Sequence, residues 1–198
     1  MQVGSERIQE IVLSLRRFSR LDESTFKPVD IHENLESTLM LMQHRLRETT
    51  RRPPIQVIRD YGELPSIHCA PAELNQVFTN ILGNAIDALE QQYLLQSQPQ
   101  QETAPALPPE ITLRTTLRDN QWVEIAIADS GIGMTEALQD RIFDPFFTTK
   151  PVGQGTGMGL AISYQIVTDL HHGTLKCHSK VGQGTEFVIE IPVAAINA

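Results

Sequence analysis

With 198 residues, 40% of them hydrophobic, the chain is long enough to bury a core of its own, and its length predicts one domain with at most a short appendage. A formal net charge of −8 argues against nonspecific nucleic-acid binding. No apolar run approaches the roughly 18 residues of a membrane-spanning helix, and the opening residues lack the apolar core of a signal peptide, so a cytoplasmic protein is expected.

Residues 5 to 21 carry Ile8, Ile11, Leu15 and Phe18 at spacings of three and four, the seam of a helix that packs on another helix. Such a seam predicts half of a helical hairpin or pairing with a second chain. Pro28, in "STFKPVD", marks an expected hinge, which divides the chain into residues 1–26 and a main domain at 27–198. From Asp30, a capping residue, Leu35, Leu39, Met42 and Leu46 recur at helical spacing. The basic stretch from Arg45 to Arg52 is expected as a solvated helix end.

"PIQVIRDY" and "PSIHCA" predict two short strands. Residues 70 to 95 predict a long helix that buries Leu74, Val77, Phe78, Ile81, Leu82, Ala85 and Leu89. Residues 96 to about 109, rich in Gln and Pro, predict a solvated excursion. A hairpin turning at Asp119 and Asn120 follows, and a second turns around Gly182 to Gly184. Together these elements predict a two-layer α/β sandwich, an α+β arrangement of helices on a mixed, mostly antiparallel sheet. The cysteines, Cys69 and Cys177, lie in apolar or strand-like settings without metal-ligand spacing and are expected as reduced thiols.

Two glycine clusters stand out. Asp129, at the end of the strand "WVEIAIAD", opens Asp129-Ser-Gly131-Ile-Gly133, and Gly155-Thr156-Gly157-Met158-Gly159 runs into the helix that begins near Leu160. A glycine turn that leads into a helix start suits phosphate. On the long helix, Asn80, Asn84 and Asp87 recur at four and three residues and share one face. An asparagine there offers an amide oxygen suited to Mg²⁺; the alternative is an amide that bonds backbone or faces solvent.

The set resembles the ATP-binding domain of histidine kinases, in the Bergerat-type family shared with gyrase, the ninety-kilodalton heat-shock chaperone and the MutL mismatch-repair ATPase. Four motifs carry the resemblance in order: "NQVFTNILGNAIDAL", "DSGIGM", "FDPFFTTK" and "GTGMGLAIS", from about Asn75 to Ser163. "GQGTEFVIEIP" matches the family's last hairpin. The resemblance implies that Asp129 accepts from the exocyclic amine of adenine and rejects guanine, with Gly131 and Gly133 close to the base and Thr185 in support. It implies Asn84 as the Mg²⁺ ligand, with Asn80 and Asp87 on the same face. Lys150 is expected to reach the γ-phosphate, and Gly155, Thr156, Gly157, Gly159 and Leu160 to lie along the phosphates. Residues 134 to 154 form the expected lid; Phe146 and Phe147 either dock it on an apolar surface or are ordinary core aromatics.

One departure bears on the reaction. Hydrolytic relatives place a glutamate four residues before the Mg²⁺ asparagine, where this chain has Asn80. An amide is no general base at neutral pH, so slow hydrolysis and transfer of the γ-phosphate to a side chain are expected. The implied acceptor is a histidine on a dimerising hairpin whose second helix residues 5 to 21 resemble; the first is expected to lie before Met1. His32, His44, His68, His171, His172 and His178 are expected to be structural or exposed. Implied partners are that hairpin in trans, a response-regulator receiver domain, and a second copy of the chain through the N-terminal helix. Competing readings are an ATPase or serine kinase of the same fold, and a docking module that binds no nucleotide.

Overall fold

The computed structural model describes residues 25–49, 52–96, 108–151 and 155–194. The expected amino-terminal helix, residues 97 to 107 of the excursion and residues 152 to 154 of the lid lie outside the described residues.

Lys27–Val29, expected within a hinge, forms a strand (β1). It pairs antiparallel with β3, Ile67–Cys69, and sets Pro28 opposite His68. A two-stranded ribbon is all edge, so a residue without an N–H is accommodated there. Just before β1, Phe26 stacks on His68 with centroids 5.9 Å apart and lies 5.2 Å from the ring of His171.

Helix α1, Ile31–Leu46, starts where expected because Asp30, in extended conformation, accepts the His32 amide proton at 2.8 Å. Its other end corrects the expectation of a solvated basic stretch. Arg52 is only 3% exposed. Its guanidinium donates to the carbonyls of Arg45, Arg47 (3.0 Å) and Pro53 (3.1 Å) and meets Glu90 of the neighbouring helix at 3.3 Å. The last carbonyls of a helix have no partners within it, and a cation folded back onto them satisfies those oxygens and the negative end of the helix dipole.

Helix α2, Pro71–Gln96, carries the long apolar face. Leu74, Val77, Phe78, Ile81, Leu82, Ile86 and Leu89 are fully buried and Ala85 nearly so. At roughly 1.5–3 kcal/mol for each large side chain removed from water, this helix is the main hydrophobic anchor of the fold.

Strands β2 (Gln56–Tyr61), β4 (Glu110–Arg118), β5 (Trp122–Asp129), β6 (Thr174–Lys180) and β7 (Gly184–Pro192) form one sheet in the order β2-β4-β5-β7-β6. Only β2 and β4 run parallel. The three-residue β4–β5 turn, Asp119 to Gln121, has Asp119 and Asn120 at φ 50° and 56°, the left-handed region that asparagine and aspartate tolerate best after glycine. Period-two alternation turns Val123, Ile125, Ile127 and Asp129 of β5 toward α2, along with Phe187, Ile189 and Ile191 of β7. The opposite face is laced with charge. Glu124 and Glu190 stand directly opposite each other, and Arg118 bridges them, pairing with Glu124 and lying 3.5 Å from Glu190. Lys176 meets Glu190 at 3.0 Å. With helices on one face and ion pairs on the other, the domain is the expected two-layer sandwich with a mixed, mostly antiparallel sheet.

Candidate functional site

Three inward strand faces end in polar residues at the same end of the sheet. In register across β5, β7 and β6, Asp129 lies opposite Thr185 and Thr185 opposite Ser179. Ser179 and Thr185 share a hydrogen bond of 2.8 Å between their hydroxyls, and Ser179 Oγ accepts the Met134 amide proton at 2.8 Å. Sequence reasoning singled out Asp129 and Thr185 but missed Ser179, which ties the first glycine loop to the sheet. Its signal is there in retrospect: it follows Leu175 and Cys177 at period two, a polar residue on an apolar face.

Asp129 is 8% exposed. Burial pushes its carboxyl from 3.8 up to about 6, and the backbone amides of Gly131 and Thr185 pull it only partly back. The Gly131 N–H donates to Oδ1 at 2.8 Å. A side chain at Gly131 has no room: a Cβ there would stand 2.7 Å from that oxygen and 2.9 Å from Ala88 Cβ on α2. The loop therefore presses against the long helix one residue from Asp87. Gly133, also in this loop, has φ 65°.

The polar face of α2 divides in use. Asn80 Nδ2 donates to the Gly159 carbonyl (2.9 Å) and to Ser163 Oγ (3.1 Å), which docks α2 on the helix that follows the second glycine cluster. Asn84 and Asp87 instead meet the lid. Lys150 Nζ donates to Asn84 Oδ1 at 3.2 Å and pairs with Asp87 Oδ2. Arg45, from the last turn of α1, lies 2.5 Å from Asp87 Oδ1. Arg45, expected only as part of a solvated basic stretch, is a second site residue that sequence reasoning missed, since nothing in a local pattern reports which helix end will pack beside position 87.

Thr135 opens a single turn of helix, α3 (Glu136–Gln139), in the lid. Phe143 packs 5.2 Å from the Tyr164 ring, and Arg141 sits 4.4 Å over the Phe147 ring. The expected aromatic pair splits: Phe147 is partly buried against the core, whereas Phe146 is 56% exposed at φ 66°. Gly157, at φ 69°, lies against Phe146, and a Cβ there would come within 2.4 Å of the Phe146 carbonyl carbon. Gly155 lies beside Thr148 and Lys150. Thr156 Oγ1 accepts the Met158 amide proton at 3.3 Å. Helix α4, Gly159–Gln165, continues through one wider π turn, Ile166–Leu170, with Leu160 partly buried at its start.

His171 closes that helix as a buried neutral imidazole. Its Nδ1 lies 2.7 Å from the Ile166 carbonyl and so donates, while Nε2 accepts the Ala70 amide proton at 3.1 Å. Burial lowers its pKa, against the opposing pull of the Ile166 carbonyl. Cys69 and Cys177 are free, and burial pushes both thiols up to about 12, so neither offers a nucleophile.

Mg²⁺ requires hard oxygen donors. The Asn84 amide oxygen and the Asp87 carboxylate already face one cation, the Lys150 ammonium, so this donor set fits the metal. Among the described residues no group of three or more His, Cys, Asp or Glu is placed to hold a metal without help, which leaves phosphate oxygens and water to complete any shell.

A buried carboxylate at a strand end, a glycine loop against the long helix, amide and carboxylate oxygens on that helix and a lysine-bearing lid define a nucleotide-binding sandwich of the Bergerat type. The family described as histidine kinase-, DNA gyrase B-, and HSP90-like ATPase matches residues 69–195, and the chain belongs to it. Sporulation kinase E of Bacillus subtilis is 30% identical over 95% of this chain and 22% of its own length. The two-component sensor PprA of Pseudomonas aeruginosa is 33% identical over 96% of this chain and 19% of its own length. The chain thus spans about a fifth of these curated relatives. Among solved structures, full-length ShkA in complex with AMPPNP superposes with a TM-score of 0.75 at 26% identity, over 98% of this chain and 38% of that one. The catalytic domain of histidine kinase ThkA superposes with a TM-score of 0.67 at 23% identity, over 86% of this chain and 99% of that one. No helix among the described residues is long and apolar enough to cross a membrane.

Proposed function

We propose that the chain binds Mg²⁺-ATP at the end of the sheet marked by Asp129 and serves as the catalytic part of a two-component histidine kinase. Its γ-phosphate goes to a histidine outside this chain. The observation that carries this reading is the row Asp129, Thr185, Ser179, in which one oxygen of a buried carboxylate accepts the Gly131 amide proton; in this reading the carboxylate accepts from the amine of the purine. Guanine, with a carbonyl there, would set oxygen against oxygen.

Asn84 would hold the metal, with Asp87 nearby. Mg²⁺, when bound, neutralises phosphate oxygens and draws charge from the γ-phosphoryl group. Lys150 supplies a further positive charge to that group. Gly155, Thr156, Gly157, Gly159 and Leu160 line the phosphate side. Gly133 keeps the first loop close to the base. Asn80 acts through position, holding α4 and the segment before it in place. In the transfer, an imidazole nitrogen of the acceptor forms the N–P bond while the bond from the γ-phosphorus to the β,γ-bridging oxygen breaks. ADP leaves with that electron pair, and the other ring nitrogen of the acceptor, the one that carried the proton, releases it to solvent. Asn80 offers no base for water, which favours transfer over hydrolysis.

The acceptor hairpin in trans, a receiver domain and a second copy through the amino-terminal helix are the partners this function needs. Calorimetric titration with ATP and GTP in Mg²⁺, followed by incubation with a hairpin polypeptide bearing the acceptor histidine, tests the proposal. Tight ATP binding, weak GTP binding and acid-labile phosphate on the hairpin are expected. No ATP binding, or equal affinity for GTP, refutes the base site.

A further inference from the structure

Lys150 does not wait in solvent for a phosphate. It is tied to α2 through two oxygens, Asn84 Oδ1 at 3.2 Å and the Asp87 carboxylate. Asp87 in turn carries two cations, Lys150 on one oxygen and Arg45 at 2.5 Å on the other. We propose that Asp87, backed by Arg45, is a positioning residue that holds the lid's Lys150 on the Asn84 amide oxygen and releases it to the γ-phosphate when nucleotide enters. This rests on the nucleotide reading given above.

The two cations differ in what holds them. Arg45 belongs to a helix end clamped by Arg52, whose side chain is wholly buried and donates to the Arg45 carbonyl. Lys150 stands on the lid, beside Gly155. When one of two cations leaves a carboxylate, the one on the rigid helix remains as its counter-ion. Lys150 can therefore depart without stranding a charge at Asp87.

Asn84 Oδ1 cannot serve Lys150 and a divalent metal together. A metal about 2.1 Å from that oxygen would meet the ammonium at close range, with like charges. Lys150 must leave Asn84 for the metal to be held there, and it needs a new anion. ATP supplies one in its γ-phosphate; ADP does not. The arrangement therefore penalises ADP more than ATP and assigns Lys150 a share in discriminating substrate from product. Both Lys150 and Asp87 are about one-third exposed, at 35% and 34%, so the penalty is a few-fold rather than orders of magnitude.

The test uses the chain as it stands with Lys150→Met, Asp87→Asn and the double variant, each checked for folding by circular dichroism. Calorimetry measures Mg²⁺-ADP and Mg²⁺-ATP binding, and amide exchange without nucleotide follows residues 147 to 150. Lys150→Met is expected to bind Mg²⁺-ADP about threefold more tightly and to lose preference for ATP over ADP. Asp87→Asn is expected to speed exchange of the lid amides in nucleotide-free protein, and the double variant to exchange no faster than either single one. An unchanged Mg²⁺-ADP affinity in Lys150→Met, or unchanged lid exchange in Lys150→Met when Asp87→Asn fails to fold, overturns the proposal and leaves the base site standing. Failure of the unaltered chain to bind either nucleotide overturns the nucleotide reading, and this proposal with it.

Discussion

Replacing Asp129 by Asn should make the empty domain more stable and the nucleotide site worse. In the folded protein the carboxyl titrates near 6 rather than at 3.8, because burial penalises the charged form more than the Gly131 and Thr185 amides favour it. The raised value means that Asp129's contribution is fully present below its unfolded value and is lost as pH rises through about 6. At about 1.4 kcal/mol per pKa unit, ionising this group in the folded state costs about 3 kcal/mol by neutral pH. Asparagine carries no such penalty. It keeps one oxygen for the Gly131 amide but gives up the second acceptor, an offset of about 1 kcal/mol. Net stabilisation of about 2 kcal/mol at pH 7.5 is expected, shrinking to nothing or reversing below pH 4. Urea unfolding of both proteins across that range measures it. In the same samples, ATP affinity should fall more than tenfold, since a charged acceptor is exchanged for an amide that can present an N–H. A variant that is less stable than the parent by the same amount at every pH refutes the account of Asp129 as a strained charge; unaltered ATP affinity refutes its role at the base.

Other expectations follow from the same geometry. ATP affinity of the unaltered domain should weaken as pH falls through about 6, when Asp129 gains its proton, which fluorescence titration at fixed Mg²⁺ would show. Asn80→Glu should cost about 1–3 kcal/mol and yield no fast ATPase, because a carboxylate facing the Gly159 carbonyl loses both donated bonds; a stable variant with rapid phosphate release would contradict this. Asn84→Ala should abolish the Mg²⁺ dependence of ATP binding while the circular dichroism spectrum is unchanged, and surviving metal dependence would leave Asn84 a structural residue. His171 has a lowered pKa, so its contribution is present above the ordinary 6.5 and is lost as pH falls. In an Asp129→Asn background stability should therefore still decline below about pH 6.5, and an imidazole titration by NMR should place the midpoint lower than 6.5.

Local rules carried far in this chain, and their limits fall where tertiary placement takes over. The alternation of "WVEIAIAD" put Asp129 at the end of a strand, the helical spacing of α2 selected seven side chains that are all buried, and Asp119-Asn120 announced its own turn. Each follows from a short window with its own period. Strand β1 was hidden because Pro28 breaks most strands, and only its place on an all-edge ribbon makes it acceptable. Arg52 was hidden because an arginine in a basic run ordinarily faces water; what buries it is a set of unpaired carbonyls at the end of α1 and a glutamate on another helix.

Asn80 shows the boundary most clearly. Residue type alone excludes a general base at that position, a negative statement that needs no structure. The positive reason for an amide appears only once α4 is packed: its nitrogen must donate to a backbone carbonyl and to Ser163 Oγ together, and aspartate or glutamate can do neither when ionised. One packing demand thus fixes the side chain, and the absence of a water-activating base follows from it. The same helix holds Asn84 and Asp87 one and two turns further on, so the contact that keeps α2 seated on α4 also sets where the Lys150 anchor stands relative to the second glycine cluster.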